Sequence, residues 1–295
     1  MKRVDSDFFS NGLRCSGWLF LPDGAQKPPV IVMAHGIAVQ KDFGLQNYAE
    51  YFVSKGMASY VFDYRNFGGS EGQPRNLVNP WRHLADWRAA ITHVKGLSDV
   101  NPELLALWGT SFSGGHVVVT AAKVKGIRAV VAQVPFVDGI SSAMQLPVSY
   151  QASGVYHGLW DVFNLVRGRA PHTVPAVAEP ETFALMNTLE YMEGFSALVP
   201  ENTTWKNEVP ARILLTISSY RPITYSRRIP CPVLLVYAKR DSLIPYQTVE
   251  KMGRAIPRAE LLGLDAGHFD VYTGKLFAQV VEKQADFLSR HLSWR

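Results

Sequence analysis

An α/β architecture, a mostly parallel central sheet flanked by helices, is predicted by three features of this 295-residue sequence. Short continuous apolar runs recur along it, as expected of strands buried on both faces of a parallel sheet. Between several of them, apolar residues fall at steps of three and four, the mark of a helix with one buried face. One run leads directly into a Gly- and Ser-rich turn and then a helical pattern, the junction on which such sheets are built.

Taken in order, the elements are as follows. The opening Met1-Lys2-Arg3-Val4-Asp5-Ser6-Asp7 turns acidic where a secretion signal needs an apolar stretch, so a cytoplasmic location is expected. From Phe8 to Leu21 the residues alternate around Asn11-Gly12, a pair that accepts positive φ; this reads as an antiparallel hairpin at a sheet edge. Val30 to Ala34, ending in His35-Gly36, is the first buried strand. Ala58 to Phe62, Leu104 to Trp108, Ala129 to Val134 and Val233 to Tyr237 repeat it, with a shorter run from Glu260 to Leu264. Trp81, Leu84, Trp87, Ile91 and Val94 mark one helix, Val117 to Ala122 another, and Leu276, Val280, Gln284, Phe287 and His291 the last.

The alternation stops between Asp138 and Ser226. Structureless loops of about ninety residues are uncommon in compact domains, and this stretch is rich in proline and aromatic residues, so a mostly helical insertion is expected. At roughly 150 residues per domain the length suggests two domains. The pattern instead predicts one interrupted domain: a core of residues 1–137 and 227–295, with a helical cap of residues 138–226.

With 47% hydrophobic residues and no apolar run long enough for a membrane span, the composition excludes disordered and transmembrane classes. The net charge of +5 is scattered, with no basic stripe for nucleic acid. Cys15 and Cys231 match no metal-ligand or redox spacing and read as half-buried structural thiols.

The phrase with most chemical content is Leu107-Trp108-Gly109-Thr110-Ser111-Phe112-Ser113-Gly114-Gly115. A serine at a sharp strand-to-helix bend presents its Oγ at the sheet edge, next to the free N–H groups of the helix. The usual G-x-S-x-G has glycine where this chain has Ser113, which keeps small size but adds a Cβ. An activated serine needs a base and a group to orient it. His268, in the loop before the last helix, is the candidate base. Asp241, at the end of the Val233 strand, is the candidate orienting acid, and Asp138 is its main rival. Asp63 and Asp265 are weaker candidates, while His35 and His116 read as structural. The backbone N–H groups of Ile37 and Phe112 are the candidate oxyanion donors.

Together with His35-Gly36, Asp63-Tyr64-Arg65-Asn66-Phe67-Gly68-Gly69-Ser70-Glu71-Gly72 and Gly267-His268-Phe269-Asp270-Val271-Tyr272, these phrases resemble the α/β-hydrolase superfamily over nearly the whole chain. Trp108 to His116 and His268-Phe269-Asp270 look like a group of bacterial hydrolases and fungal polyketide hydrolases or acyltransferases. The resemblance implies an α/β-hydrolase fold, an acyl-enzyme mechanism, a helical cap and no cofactor or metal. The expected function is hydrolysis of a carboxylic ester or thioester by Ser111, His268 and Asp241. Two alternatives stand beside it: acyl transfer to an alcohol or amine by the same triad, and a non-catalytic ligand-binding module on this fold. Dehalogenase and epoxide hydrolase chemistries are disfavoured because they use an aspartate where this chain has Ser111. The expected partner is a small molecule, and the aromatic residues of the cap suit an apolar moiety or the cap's own core.

Overall fold

The apolar runs pair into a single sheet that carries the site along one edge. The computed structural model describes residues 1–292. The chain opens with β1 (Lys2–Asp5), β2 (Phe8–Ser10), β3 (Leu13–Cys15) and β4 (Gly17–Leu21). It then alternates through β5 (Pro29–Ala34), α1 (Leu45–Ser54), β6 (Ala58–Phe62), α2 (Pro80–Lys95), β7 (Asn101–Thr110), α3 (Phe112–Lys123) and β8 (Ile127–Gln133). An excursion follows, with α4 (Gly139–Ala143), α5 (Val148–Val166), β9 (Thr173–Val174), α6 (Leu189–Ser196) and β10 (Val209–Pro210), ending in short 3₁₀ turns. The alternation resumes with β11 (Val233–Ala238), α7 (Tyr246–Ala255), β12 (Ala259–Leu264) and α8 (Gly274–Leu292).

The main sheet has eight strands in the order β1-β4-β6-β5-β7-β8-β11-β12. It is antiparallel from β1 to β6 and parallel from β6 to β12. One face packs on α2, α3 and α7 through Leu84, Trp87, Val117 and Met252, and the other on α1 and α8 through Tyr48, Phe52, Val281 and Phe287. This α/β/α layering follows from β5, β7 and β11, whose residues are apolar on both faces and leave neither face tolerant of water. Gln284 of α8 is fully buried among apolar neighbours yet satisfied, accepting from Trp108 Nε1 at 2.8 Å and donating to Gln133 Oε1 at 2.7 Å. Asn79 caps α2 by accepting from the Trp81 and Arg82 amides, and Pro80 starts the first turn with its φ already set.

Four expectations are corrected. The Asn11-Gly12 turn forms, with φ of 46° and 79°, but joins β2 and β3 in a two-stranded sheet of their own. The main-sheet edge is β1, whose polar sequence carries no alternation. The Glu260 run is β12, an edge strand with Leu261 exposed, rather than a strand buried on both faces. Trp81, in the first turn of α2, is 50% exposed, while Leu84, Trp87, Ile91 and Val94 are buried. Cys15 and Cys231 are fully rather than half-buried, free thiols that burial pushes up to about 12 and about 11.

Candidate active site

Ser111 sits between β7 and α3 with φ 56° and ψ −121°, a conformation that costs a non-glycine residue about 1–3 kcal/mol. Its neighbours hold it there. The Ser111 N–H donates to Gln133 O at 2.8 Å, and its carbonyl accepts from Phe136 N and Gly114 N, each at 2.9 Å. The flanking glycines allow this close approach: a Cβ on Gly109 would lie 2.3 Å from Ser113 O, and one on Gly115 2.2 Å from Phe136 O. Ser113, the departure from the usual motif, is fully buried, with its hydroxyl 2.7 Å from Tyr64 Oη, which also accepts from Trp87 Nε1. The added side chain is therefore a satisfied polar group and not a void or a clash.

The loop after β12 brings His268 over this bend, with Nε2 3.2 Å from Ser111 Oγ. Its Nδ1 lies 2.5 Å from Asp241 Oδ2, in the loop after β11. Donation of Nδ1–H to the carboxylate leaves Nε2 as the acceptor for the serine hydroxyl. Burial alone would raise the Asp241 carboxyl. The adjoining imidazole, its hydrogen bond and the amides of Leu243 and Ile244 outweigh that and hold it below the ordinary carboxylate range. Hydroxyl, imidazole and carboxylate thus form one hydrogen-bonded line, the arrangement that can raise a serine's nucleophilicity.

Two further residues reach this line from α6, in the excursion between β8 and β11. Tyr191 donates to Asp241 Oδ1 at 3.0 Å and lays its ring against His268, centroids 4.8 Å apart. Glu190 accepts from the His268 amide and, at 2.9 Å, from the Ser242 amide. No sequence signal marks them. The contacts span 50 and 78 residues, and locally Thr188 to Tyr191 reads only as a capped helix start.

The approach of the His35-Gly36 loop to Ser111 depends on glycine, since a Cβ on Gly36 would lie 3.0 Å from Ser111 Cβ and 3.4 Å from its Oγ. The next residue, Ile37, lines a cavity together with Ser111 and Phe112. Among the described residues the amides of Ile37 and Phe112 have no hydrogen-bond acceptor, so both are free to donate. The cavity encloses about 190 Å³, and none of its lining side chains is charged. Most of the lining comes from the excursion, including Leu146, Tyr150, Phe183, Met186 and Leu214. A smaller apolar recess of about 30 Å³ lies on the His268 side, bounded by Phe43, Phe195, Phe269 and Tyr272.

The profile of the alpha/beta hydrolase family matches residues 31–280. This chain belongs to the alpha/beta hydrolase family. Relatives include the quorum-quenching protein AidA of Acinetobacter baumannii, 39% identical over 97% of this chain and 94% of that protein. The thiohydrolase apmlB of Arthrinium phaeospermum is 30% identical over 97% of this chain and 95% of that one. Among solved structures, the alpha/beta hydrolase GrgF from Penicillium sp. sh18 superimposes with a TM-score of 0.87 at 25% identity, covering 100% of both chains.

In this alpha/beta hydrolase the remaining sequence candidates lie apart from Ser111 and His268. Asp138 caps α4 and is gripped by Arg221, with Nε and Nη2 at 2.7 and 3.0 Å. Asp63 accepts from Lys41 Nζ at 2.7 Å and from the Lys41 and Gly69 amides, fixing the loop that precedes α1. Asp265 is exposed and pairs with Arg240. His35 and His116 are fully buried, and burial lowers them to about 4 and about 3. His116 lies under the bend, 2.6 Å from Tyr220 Oη and 3.3 Å from His83. Among the described residues no His, Cys, Asp or Glu group could hold a metal ion, and no helix is long and apolar enough to cross a membrane.

Proposed function

We propose that this chain is a serine hydrolase that cleaves a carboxylic ester or thioester with an apolar acyl group through an acyl-enzyme intermediate. The observation that carries the reading is the Ser111–His268–Asp241 line opening on an uncharged cavity. Ser111 Oγ attacks the carbonyl carbon as its proton passes to His268 Nε2, and Asp241 holds the imidazole in the tautomer that can accept it. Negative charge gathers on the carbonyl oxygen, where the N–H groups of Ile37 and Phe112 receive it. Collapse of this intermediate breaks the bond to the alcohol or thiol, which leaves with the proton held by His268. Water then enters, His268 takes its proton, and the acid departs as Ser111 regains its hydrogen.

Residues 138–226 act in this reading as a cap over the core. They supply most of the acyl cavity and, through Glu190 and Tyr191, contacts to the base and the acid. The leaving group takes the His268 side, where the recess is smaller and also apolar. An uncharged lining favours neutral acyl groups, since a carboxylate placed there would lose its water without gaining a partner.

A panel of esters and thioesters of graded acyl length, run with native protein and Ser111→Ala, tests the proposal. Turnover that rises with apolar acyl length and disappears in Ser111→Ala is expected. Turnover that survives in Ser111→Ala would refute it, and appearance of an acylated alcohol in place of free acid would convert it to acyl transfer.

A further inference from the structure

Helix α5 buries its one charge and turns apolar side chains to the solvent. Of its 19 residues only Asp161 is charged, and that side chain is fully buried. Asp161 accepts from Arg212 Nε at 2.6 Å and Nη2 at 2.9 Å, and from the His172 and Arg212 amides. Beside it Gly154 and Gly158 are buried, and the helix rests on the 3₁₀ turn Ala211–Leu215. The inner face is thus anchored by a satisfied ion pair, which fixes which side of α5 points outward.

That outward side is apolar. Val148, Val155, Leu159, Phe163 and Val166 fall within a narrow arc of the helix, and Tyr156 and Trp160 widen it. All are exposed, from 45% for Trp160 to 81% for Val148. Aromatic side chains present about 150–250 Å² each, so at these exposures the stripe offers on the order of 700 Å² of uncharged surface. The largest apolar patch on a typical monomer is about 300–600 Å², whereas each partner of a standard interface contributes about 800 Å². Arg167, stacked 5.1 Å over Phe163, gives the stripe a cationic rim at one end.

We propose that the outer face of α5 is a homodimer interface, occupied by α5 of a second copy of this chain across a two-fold axis. The area matches what one partner of a stable dimer buries, and an uncharged, aromatic stripe can face its own image without like-charge repulsion. A lipid surface fits less well: helices that lie on membranes carry Lys and Arg along a solvated face, while α5 has neither residue and its one charged side chain, Asp161, is buried in protein. Val155 and Gly154 also line the acyl cavity, so the dimer would back the outer wall of that cavity with protein instead of water.

Light scattering on the size-excluded 295-residue protein at micromolar concentration tests the proposal independently of any activity. A mass of about 66 kDa, twice the 32.8 kDa chain, is expected. Leu159→Arg and Phe163→Arg should each weaken the dimer by more than about thirtyfold and elute as monomers with unchanged circular dichroism. Leu159→Ser with Phe163→Ser serves if the arginine variants misfold. Native protein that runs as a monomer would overturn the interface, as would a dimer that persists in the folded variants. A monomer that floats with phosphatidylcholine–phosphatidylglycerol vesicles would overturn it in favour of a lipid surface.

Discussion

Tyr191→Phe removes one hydroxyl from the proposed catalytic apparatus and leaves the ring in place against His268. Asp241 then keeps three of its four donors: His268 Nδ1 and the amides of Leu243 and Ile244. A hydrogen bond to a charged acceptor contributes about 1.5–3 kcal/mol. With that donor gone, Asp241 concentrates more negative charge toward His268 and stabilises the imidazolium. Only part of the effect crosses the intervening hydrogen bond. A stabilised imidazolium and a less firmly held carboxylate oppose each other, so plateau kcat/KM should change by less than about tenfold. The assay is hydrolysis of a p-nitrophenyl ester across pH 5 to 9, with Tm measured on the same samples. A fall in Tm with kcat/KM unchanged would assign Tyr191 to packing alone, and a loss of about a hundredfold or more in a folded variant would refute the reasoning that the remaining donors hold Asp241.

Further outcomes follow from the same geometry. Asp241→Asn should lower kcat by about a thousandfold or more, because it forfeits the tautomer that leaves Nε2 free to accept. Asp138→Asn, which loses only the pairing with Arg221 and contacts at the start of α4, should hold kcat/KM within about threefold; steady-state kinetics on both variants decides which acid serves His268. Gly36→Ala sets a methyl 3.0 Å from Ser111 Cβ, so kcat/KM should drop at least about tenfold while Tm changes little, read by kinetics and calorimetry. His35 and His116, lowered by burial to about 4 and about 3, stay neutral in the folded chain under conditions where the unfolded chain takes up protons. Their contribution to stability is present above the unfolded pKa of about 6.5 and is lost as pH falls below it, by on the order of 2 kcal/mol for each between pH 7 and 5. Urea denaturation at the two pH values measures it, and a midpoint that does not fall would contradict the buried neutral imidazoles.

What could be read from the sequence was whatever a short segment states by itself. β5 and β11 are uninterrupted apolar runs, and Asn11-Gly12 announces its own turn. Ser111 stands between a strand pattern and a helix pattern, and His268 and Asp241 each lie in a loop that follows a strand. The order of the parallel strands then brings those three loops to one sheet edge. The β1 edge was not legible, because an exposed strand paired through its backbone needs no apolar alternation. Neither was the part played by α6. Glu190 and Tyr191 meet His268 and Asp241 only through tertiary docking, and at their own positions they look like an ordinary solvated face. Ser113 looked like a blemish in the motif until Tyr64 supplied the partner for its hydroxyl.

The central claim is that Ser111 is an activated nucleophile. Treatment of the native protein with a fluorophosphonate, followed by peptide mass spectrometry, tests it most directly. One adduct on Ser111, absent from Ser111→Ala and much slowed in Asp241→Asn, is the predicted result. A folded native protein that takes up no label at Ser111 would contradict the account.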